Sequence, residues 1–228
     1  MRQAGRVVAL TKVCLKEAVE PGITTQELDR IAEREIRKLG AQPSFKGLYG
    51  FPATICASLN EQVVHGIPSK REIQLGEILK IDVGAVVGGY HADSAFSIGV
   101  GRVTEEVQKL MDDTRESLRL GIVQARDGSR VGDISEAVQS HGESLGYGVV
   151  RQWVGHGIGK DLHEEPQIPN YGVAGKGPVL REGMTIAIEP MLNMGTWETK
   201  ILEDEWTVVT ADGELSAHFE DTVLIGQN

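Results

Sequence analysis

Apolar side chains recur at helical spacing from Gln3 to Val19, where Val7, Val8, Leu10, Val13 and Leu15 stand among Ala4, Ala9 and Ala18, predicting an amphipathic helix. Pro21-Gly22 ends it. Thr24 followed by Glu27 has the form of a capping box, and Leu28, Ile31, Ala32, Ile36 and Leu39 carry a second helical stripe as far as Gly40, a suitable residue just past a helix end. The second helix is expected over about Thr25 to Leu39. The same grammar returns in a long helical pattern from Glu105 to Ala125, then Asp127-Gly128, then Ile134, Ala137, Val138 and Leu145 before Gly146. Gly22, Leu28, Leu39 and Gly40 map onto Gly128, Ile134, Leu145 and Gly146 at a constant offset of 106, the mark of an internal duplication.

Each helix pair is followed by runs with strand character. In the first half these are Ala53 to Leu59, Ile78 to Val87 and Tyr90 to Val100; in the second they are Val149 to Val154, Met184 to Glu189, Trp206 to Thr210 and His218 to Ile225. Helices then strands, twice over, predict an α+β fold: a curved, mostly antiparallel sheet with helices packed on one face. No Pro/Ser-rich linker divides the chain, so residues 1–228 are expected to form one domain of two related halves, about 1–100 and 101–228. Ile168 to Val179, with Gly172, Gly175 and Gly177, reads as a surface loop.

Composition narrows the function. A hydrophobic content of 40% with 25% charged residues is that of an ordinary globular protein, and a net charge of -10 disfavours nucleic acid or an anionic membrane as the main partner. No apolar run reaches eighteen residues and the first residues lack the apolar core of a secretory signal, so a cytoplasmic protein is expected. Cys14 and Cys56 lie in unrelated contexts, which indicates neither a disulfide framework nor a thiolate metal site.

Chemistry concentrates in two places. Gly155-His156-Gly157-Ile158-Gly159 frames one histidine with glycines, and His163 follows seven residues later, in a stretch that reads as a tight loop able to fold around a metal ion. The second place is Ile81 to Val87 and His91 to Phe96, which flank Gly88-Gly89, a strong hairpin signal. With those glycines as a two-residue turn, Asp93 faces Gly84 and shares a face with Asp82. Acids in apolar strands need a cationic partner, and the same holds for Glu189 after Thr185 to Ile188 and for Glu220 after Phe219. An oxygen-rich set with one imidazole suits Mn, Fe, Co or Zn, and with Asp93 and Glu220 as bridges a two-ion hydrolytic site is expected. His91-Ala92-Asp93 with a distal histidine also has the form of an iron oxygenase triad, a reading that leaves Asp82, Glu189 and Glu220 unexplained.

Asn60 to Pro68 (Asn-Glu-Gln-Val-Val-His-Gly-Ile-Pro), the pair Asp82 and Asp93, Gly155 to Gln167, Glu189-Pro190-Met191 and Ser216 to Glu220 occur in the order found in type I methionine aminopeptidases, and the chain resembles that family from about Arg2 to Gly226. The resemblance implies a pita-bread fold and removal of the initiator methionine from nascent proteins when the second residue is small. It further implies two divalent ions (Co, Mn, Fe or Zn): Asp93, His156, Glu189 and Glu220 would hold one, and Asp82, with Asp93 and Glu220 bridging, the other. Metal-activated water would attack the first peptide bond with Glu189 as acid and base, while His65 and His163 would meet the substrate. A methionine pocket would carry over to Phe51, Cys56, Leu162 and Trp206. The implied partner is the N-terminus of a nascent polypeptide, with the ribosome as the place of meeting; nucleic acid and membrane are not expected, and a monomer is. Two departures stand out. Leu162 takes a position where many members have Phe, and Asp221 follows the last glutamate where His is common, which is expected to add negative charge beside the site.

Overall fold

In the computed structural model, which describes residues 1–226, the chain opens with α1 (Arg2–Ala18) and α2 (Thr25–Lys38), then β1 (Gln42–Pro43), β2 (Ile55–Leu59), β3 (Gln62–Val64), β4 (Ile78–Val87) and β5 (Tyr90–Gly99). A second helix pair, α3 (Glu105–Gln124) and α4 (Val131–Ser144), precedes β6 (Gly148–Val149), β7 (Gly155–Gly157), β8 (Glu164–Ile168), β9 (Thr185–Ile188) and β10 (Met191–Asn193). The last strands are β11 (Thr199–Ile201), β12 (Val208–Thr210), β13 (Ser216–His218) and β14 (Asp221–Leu224).

The helices form where their stripes predict, and their ends have local causes. Thr24 Oγ1 accepts from the Glu27 amide at 3.1 Å while Glu27 Oε2 accepts from the Thr24 amide at 2.9 Å, so the capping box starts α2. In α1 the buried face is Ala4, Val7, Val8, Thr11 and Leu15, whereas Leu10 and Val13 are 41% and 52% exposed. Thr11 can take a core place because its hydroxyl returns to the Val7 carbonyl at 2.9 Å. This face lies on β4 and β5, where Ile78, Leu79, Ile81, Val83, Ala85 and Phe96 complete one apolar core.

Every strand pair among the described residues is antiparallel. The groupings are β1-β4-β2 with β5 also on β4, then β14-β9-β7-β8, β13-β10-β6 and β11-β12-β3. The β4–β5 hairpin has the register its turn predicts, with Gly84 opposite Asp93 and Val87 opposite Tyr90, and Gly88 and Gly89 take φ of 59° and 78°. Backbone bonds between Ala95 and Glu220 in both directions, at 3.2 and 3.1 Å, tie β5 to the segment that joins β13 and β14. Acids from the two halves of the chain are thereby fixed to one another.

One expectation needs correction: the glycine-framed histidine is in a strand rather than a loop. Gly155–Gly157 is β7, paired with β8 on one side and β9 on the other. A Cβ on Gly155 would stand 2.3 Å from the Ala187 carbonyl oxygen, and one on Gly157 would stand 2.2 Å from that of Glu165. The glycines let neighbouring backbones close in on His156, which is why a segment with little strand propensity forms one. Of the expected strand Val149 to Val154 only Val149 falls within a strand, β6, and Trp206–Thr210 contracts to β12.

Candidate active site

Asp82, Asp93, Glu189, Glu220 and His156 come from β4, from β5, from the residue after β9, from the two-residue segment that joins β13 and β14, and from β7. All five line one cavity of about 150 Å³, together with His65, His163, Phe51, Cys56, Leu162 and Trp206. The structure therefore brings every sequence-predicted site residue to one place. It also adds Phe45, Leu48 and Tyr49, which sequence reasoning missed. Their signal was the glycine framing of Leu48-Tyr49 between Gly47 and Gly50; Tyr49 has φ of 51° and stacks on His163 with ring centroids 6.2 Å apart.

The polar end of the cavity is built for a cation. Single ligand atoms from Asp93, His156 and Glu220 all lie within 4.8 Å of one another. Glu189 Oε1 is 3.7 Å from His156 Nε2, and Asp82 adjoins Asp93. His156 Nδ1 is 2.8 Å from its Gly157 carbonyl acceptor, which assigns the ring proton to Nδ1 and leaves the Nε2 lone pair aimed at carboxylates. Burial holds the His156 pKa down to about 4, so the ring is neutral at pH 7.

Three carboxylate oxygens, Asp82 Oδ1, Asp93 Oδ1 and Glu220 Oε1, are buried without any hydrogen-bond donor. Burial followed by the Asp93 charge raises Asp82 well above the usual carboxylate range, and the same two causes raise Glu189. Glu220 is raised by burial and by Asp93, Glu189 and Asp82; Asp93 itself is raised to about 6 by burial. Unsatisfied acceptors, a lone pair facing a carboxylate and mutually repelling acids all ask for positive charge at this point. The donor set, four carboxylates and one imidazole, fits hard or borderline divalent ions.

The other end is apolar. Phe45, Phe51, Ala53, Cys56, Ile158 and Leu162 form a cluster of their own, with Trp206, Ile67, Leu48 and Met1 packed against it. Phe51 and Trp206 meet edge to face at 5.1 Å, and Leu162 is 5% exposed, a buried wall where an aromatic ring was absent. Burial and then the Asp82 charge push the Cys56 thiol up, so it is a neutral soft group beside the acids. Two further histidines line the same cavity. His65, at φ of 60°, packs edge-on to Trp153 at 5.1 Å and is held at about 4 by burial. His163 meets the His156 ring at 4.5 Å and is also lowered by burial.

One other reading falls to the geometry, and another is located by it. His91 Nδ1 is 2.9 Å from Ser44 Oγ and lies outside the lining of the cavity, so His91-Ala92-Asp93 is not a triad. Asp221 stands beside the site and not in it: its side chain lies on the α1 side of the sheet, 3.6 Å from Lys12 Nζ, and from there its charge adds to the causes that raise Glu220. Strand alternation sends adjacent residues to opposite faces, and Glu220 takes the inner one.

Residues 1–227 match the family described as Metallopeptidase family M24. A methionine aminopeptidase of Clostridium perfringens is 54% identical over 228 residues, which cover 100% of this chain and 92% of the relative. Methionine aminopeptidase 1 of Bacillus subtilis is 53% identical over 225 residues, covering 99% and 91%. The crystal structure of methionine aminopeptidase from Thermotoga maritima is similar with a TM-score of 0.98 at 44% identity, covering 100% of this chain and 92% of that one.

Proposed function

The chain belongs to metallopeptidase family M24, within it to the pita-bread methionine aminopeptidases, and from that premise we propose which of its residues release an N-terminal methionine, and how. Divalent ions would be held by Asp82, Asp93, His156, Glu189 and Glu220; when bound they supply Lewis acidity, acidifying water and polarising a carbonyl. The observation that carries this is the meeting of Asp93, His156 and Glu220 ligand atoms within 4.8 Å, at the polar end of a cavity whose other end is apolar.

The substrate's thioether side chain would lie against Phe51, Trp206, Leu162 and Cys56, where an unbranched side chain adapts to the irregular wall and its sulfur meets ring edges. Binding there sets the first peptide bond beside the acids. Glu189, at the cavity's polar end, would take a proton from the attacking water and deliver it to the departing amine nitrogen. Burial lowers the pKa of both His65 and His163 and so favours their neutral rings, each of which can donate one hydrogen bond to the scissile peptide group without bringing a charge that would repel cations. The apolar end, walled by Phe51, Cys56, Leu162 and Trp206, would take one side chain, which supports removal of a single residue, and the substrate class is nascent polypeptides with a small second residue.

The test is release of free methionine from a Met-Gly-Met peptide by protein stripped with chelator and reloaded with Mn(II) or Co(II). Methionine release that stops on chelation and returns on reloading is expected. No release from the reloaded protein, or cleavage at the second bond, would overturn the assignment.

A further inference from the structure

The two acids shared by the ligand set have a second set of neighbours on the far side of the sheet. Alternation along the strands sends Asp93 and Glu220 into the cavity and the residues that follow them, Ser94 and Asp221, toward α1. There Lys12 Nζ donates to Ser94 Oγ at 2.5 Å and lies 3.6 Å from Asp221 Oδ1. The Ser94 hydroxyl in turn reaches the Glu220 carbonyl at 2.6 Å and Asp221 Oδ1 at 2.9 Å. A second cavity of about 220 Å³ lies here, lined among others by Lys12, Ser94, Asp221 and Asp93, so Asp93 borders both spaces. The lysine side chain is 17% exposed and that of Asp221 53%.

We propose that Lys12 and Asp221 form a compensated charge pair that sets divalent-metal affinity from behind the ligand strands. This rests on the reading that Asp93 and Glu220 hold the ions. A divalent ion entering the cavity brings positive charge toward both members of the pair: Asp221 attracts it and Lys12 opposes it. In the metal-free protein the roles reverse, since Lys12 offsets the repulsion among the buried acids and Asp221 adds to it. Ser94 keeps both charges against the strand, one residue from each shared acid.

A clip that merely held α1 to the sheet would weaken everything when either end was removed. A charge pair gives opposite signs, and that is the test. Full-length protein is stripped of metal, titrated with Mn(II) by calorimetry, and its metal-free melting temperature is recorded. Asp221→Asn should weaken Mn(II) binding roughly three- to tenfold and raise the metal-free melting temperature. Lys12→Met should tighten binding by a similar factor and lower it. The double variant should return near wild type, and Lys12→Arg should stay there. Raising the ionic strength should shrink the Asp221→Asn effect, because that carboxylate is half exposed. If Lys12→Met does not fold, Asp221→Asn decides alone: both quantities unchanged, or both lowered together, would overturn the pair. Two single variants shifting affinity in the same direction would overturn it too. Absence of Mn(II) binding by the wild-type protein would instead overturn the ligand assignment on which the pair depends.

Discussion

Asp93 concentrates the problem this molecule solves at the level of single residues: it is 5% exposed, one carboxylate oxygen has no donor, and burial holds its pKa at about 6. An acid so placed costs the fold free energy and is useful to a cation. Asp93→Ala is therefore expected to abolish Mn(II) binding and methionine release, while the metal-free protein melts no lower than wild type because one repelling charge has gone. Metal analysis beside a thermal melt checks this, and retained turnover would exclude Asp93 from the ligand set. Trp206 works at the apolar end. Its replacement by Ala should raise KM for Met-Gly-Met with metal content unchanged, at a cost of about 1–2 kcal/mol in kcat/KM from lost apolar and ring contact; loss of metal with KM unchanged would contradict the pocket role. Much of this was legible beforehand, since charge in an apolar strand announces itself: Asp82, Glu189 and Glu220 stood out for that reason. Phe45, Leu48 and Tyr49 did not, because apolar side chains call for no cationic partner, and the glycines at 47 and 50 mark a tight turn without saying what it faces. The orientation of Asp221 was likewise beyond spacing alone, as it depends on which strand face α1 covers.

Secondary elements matter here for the rigidity with which they hold side chains. The Gly88-Gly89 turn fixes the β4–β5 register and with it the shared face of Asp82 and Asp93, a relation readable from sequence because a strand has a period of two. β7 was not readable in this way. Three residues with two glycines have neither periodicity nor propensity, and their strand is imposed by β8 and β9 on either side. Gly155→Ala would push a Cβ to 2.3 Å from the Ala187 carbonyl, where backbone must move. The expected result is a loss of about 1–3 kcal/mol of stability together with weaker Mn(II) binding, since His156 is the next residue. Denaturant unfolding with a metal titration checks both, and an unchanged affinity would mean that β7 does not position His156. The helices follow the opposite rule. α2 is set by its own capping box and stripe, and Thr24→Ala should cost about 1 kcal/mol without touching methionine release; a fall in kcat would show a coupling from α2 to the site that the packing does not suggest.

Across the whole molecule the site is a meeting of distant segments: β4 and β5 from the first helix-and-strand set, and β7, the end of β9 and the β13–β14 join from the second. We propose that residues 1–228 act as one catalytic domain, since neither set alone supplies the four acids and the imidazole. The same convergence makes stability pH-dependent in a direction that can be worked out. His218, 2% exposed with Nε2 lacking a partner, has its pKa lowered from 6.5 to about 3, first by burial and then by His65 and Lys80. Between those values the unfolded chain takes up a proton that the folded one refuses, so this contribution is complete above pH 6.5 and is lost as pH falls toward 3. The slope of melting temperature against pH in that window should flatten in His218→Gln; an unchanged slope would contradict it. The buried acids act in the other sense. Their folded pKa values are raised, so the metal-free protein loses stability as pH climbs above the ordinary carboxylate value, and added Mn(II) should raise the melting temperature most at the alkaline end. The most direct measurement of all is an anomalous difference map from crystals soaked in Mn(II). Peaks bounded by Asp82, Asp93, His156, Glu189 and Glu220 are predicted, and Mn(II) absent from that cavity while bound elsewhere on the protein would contradict the entire scheme.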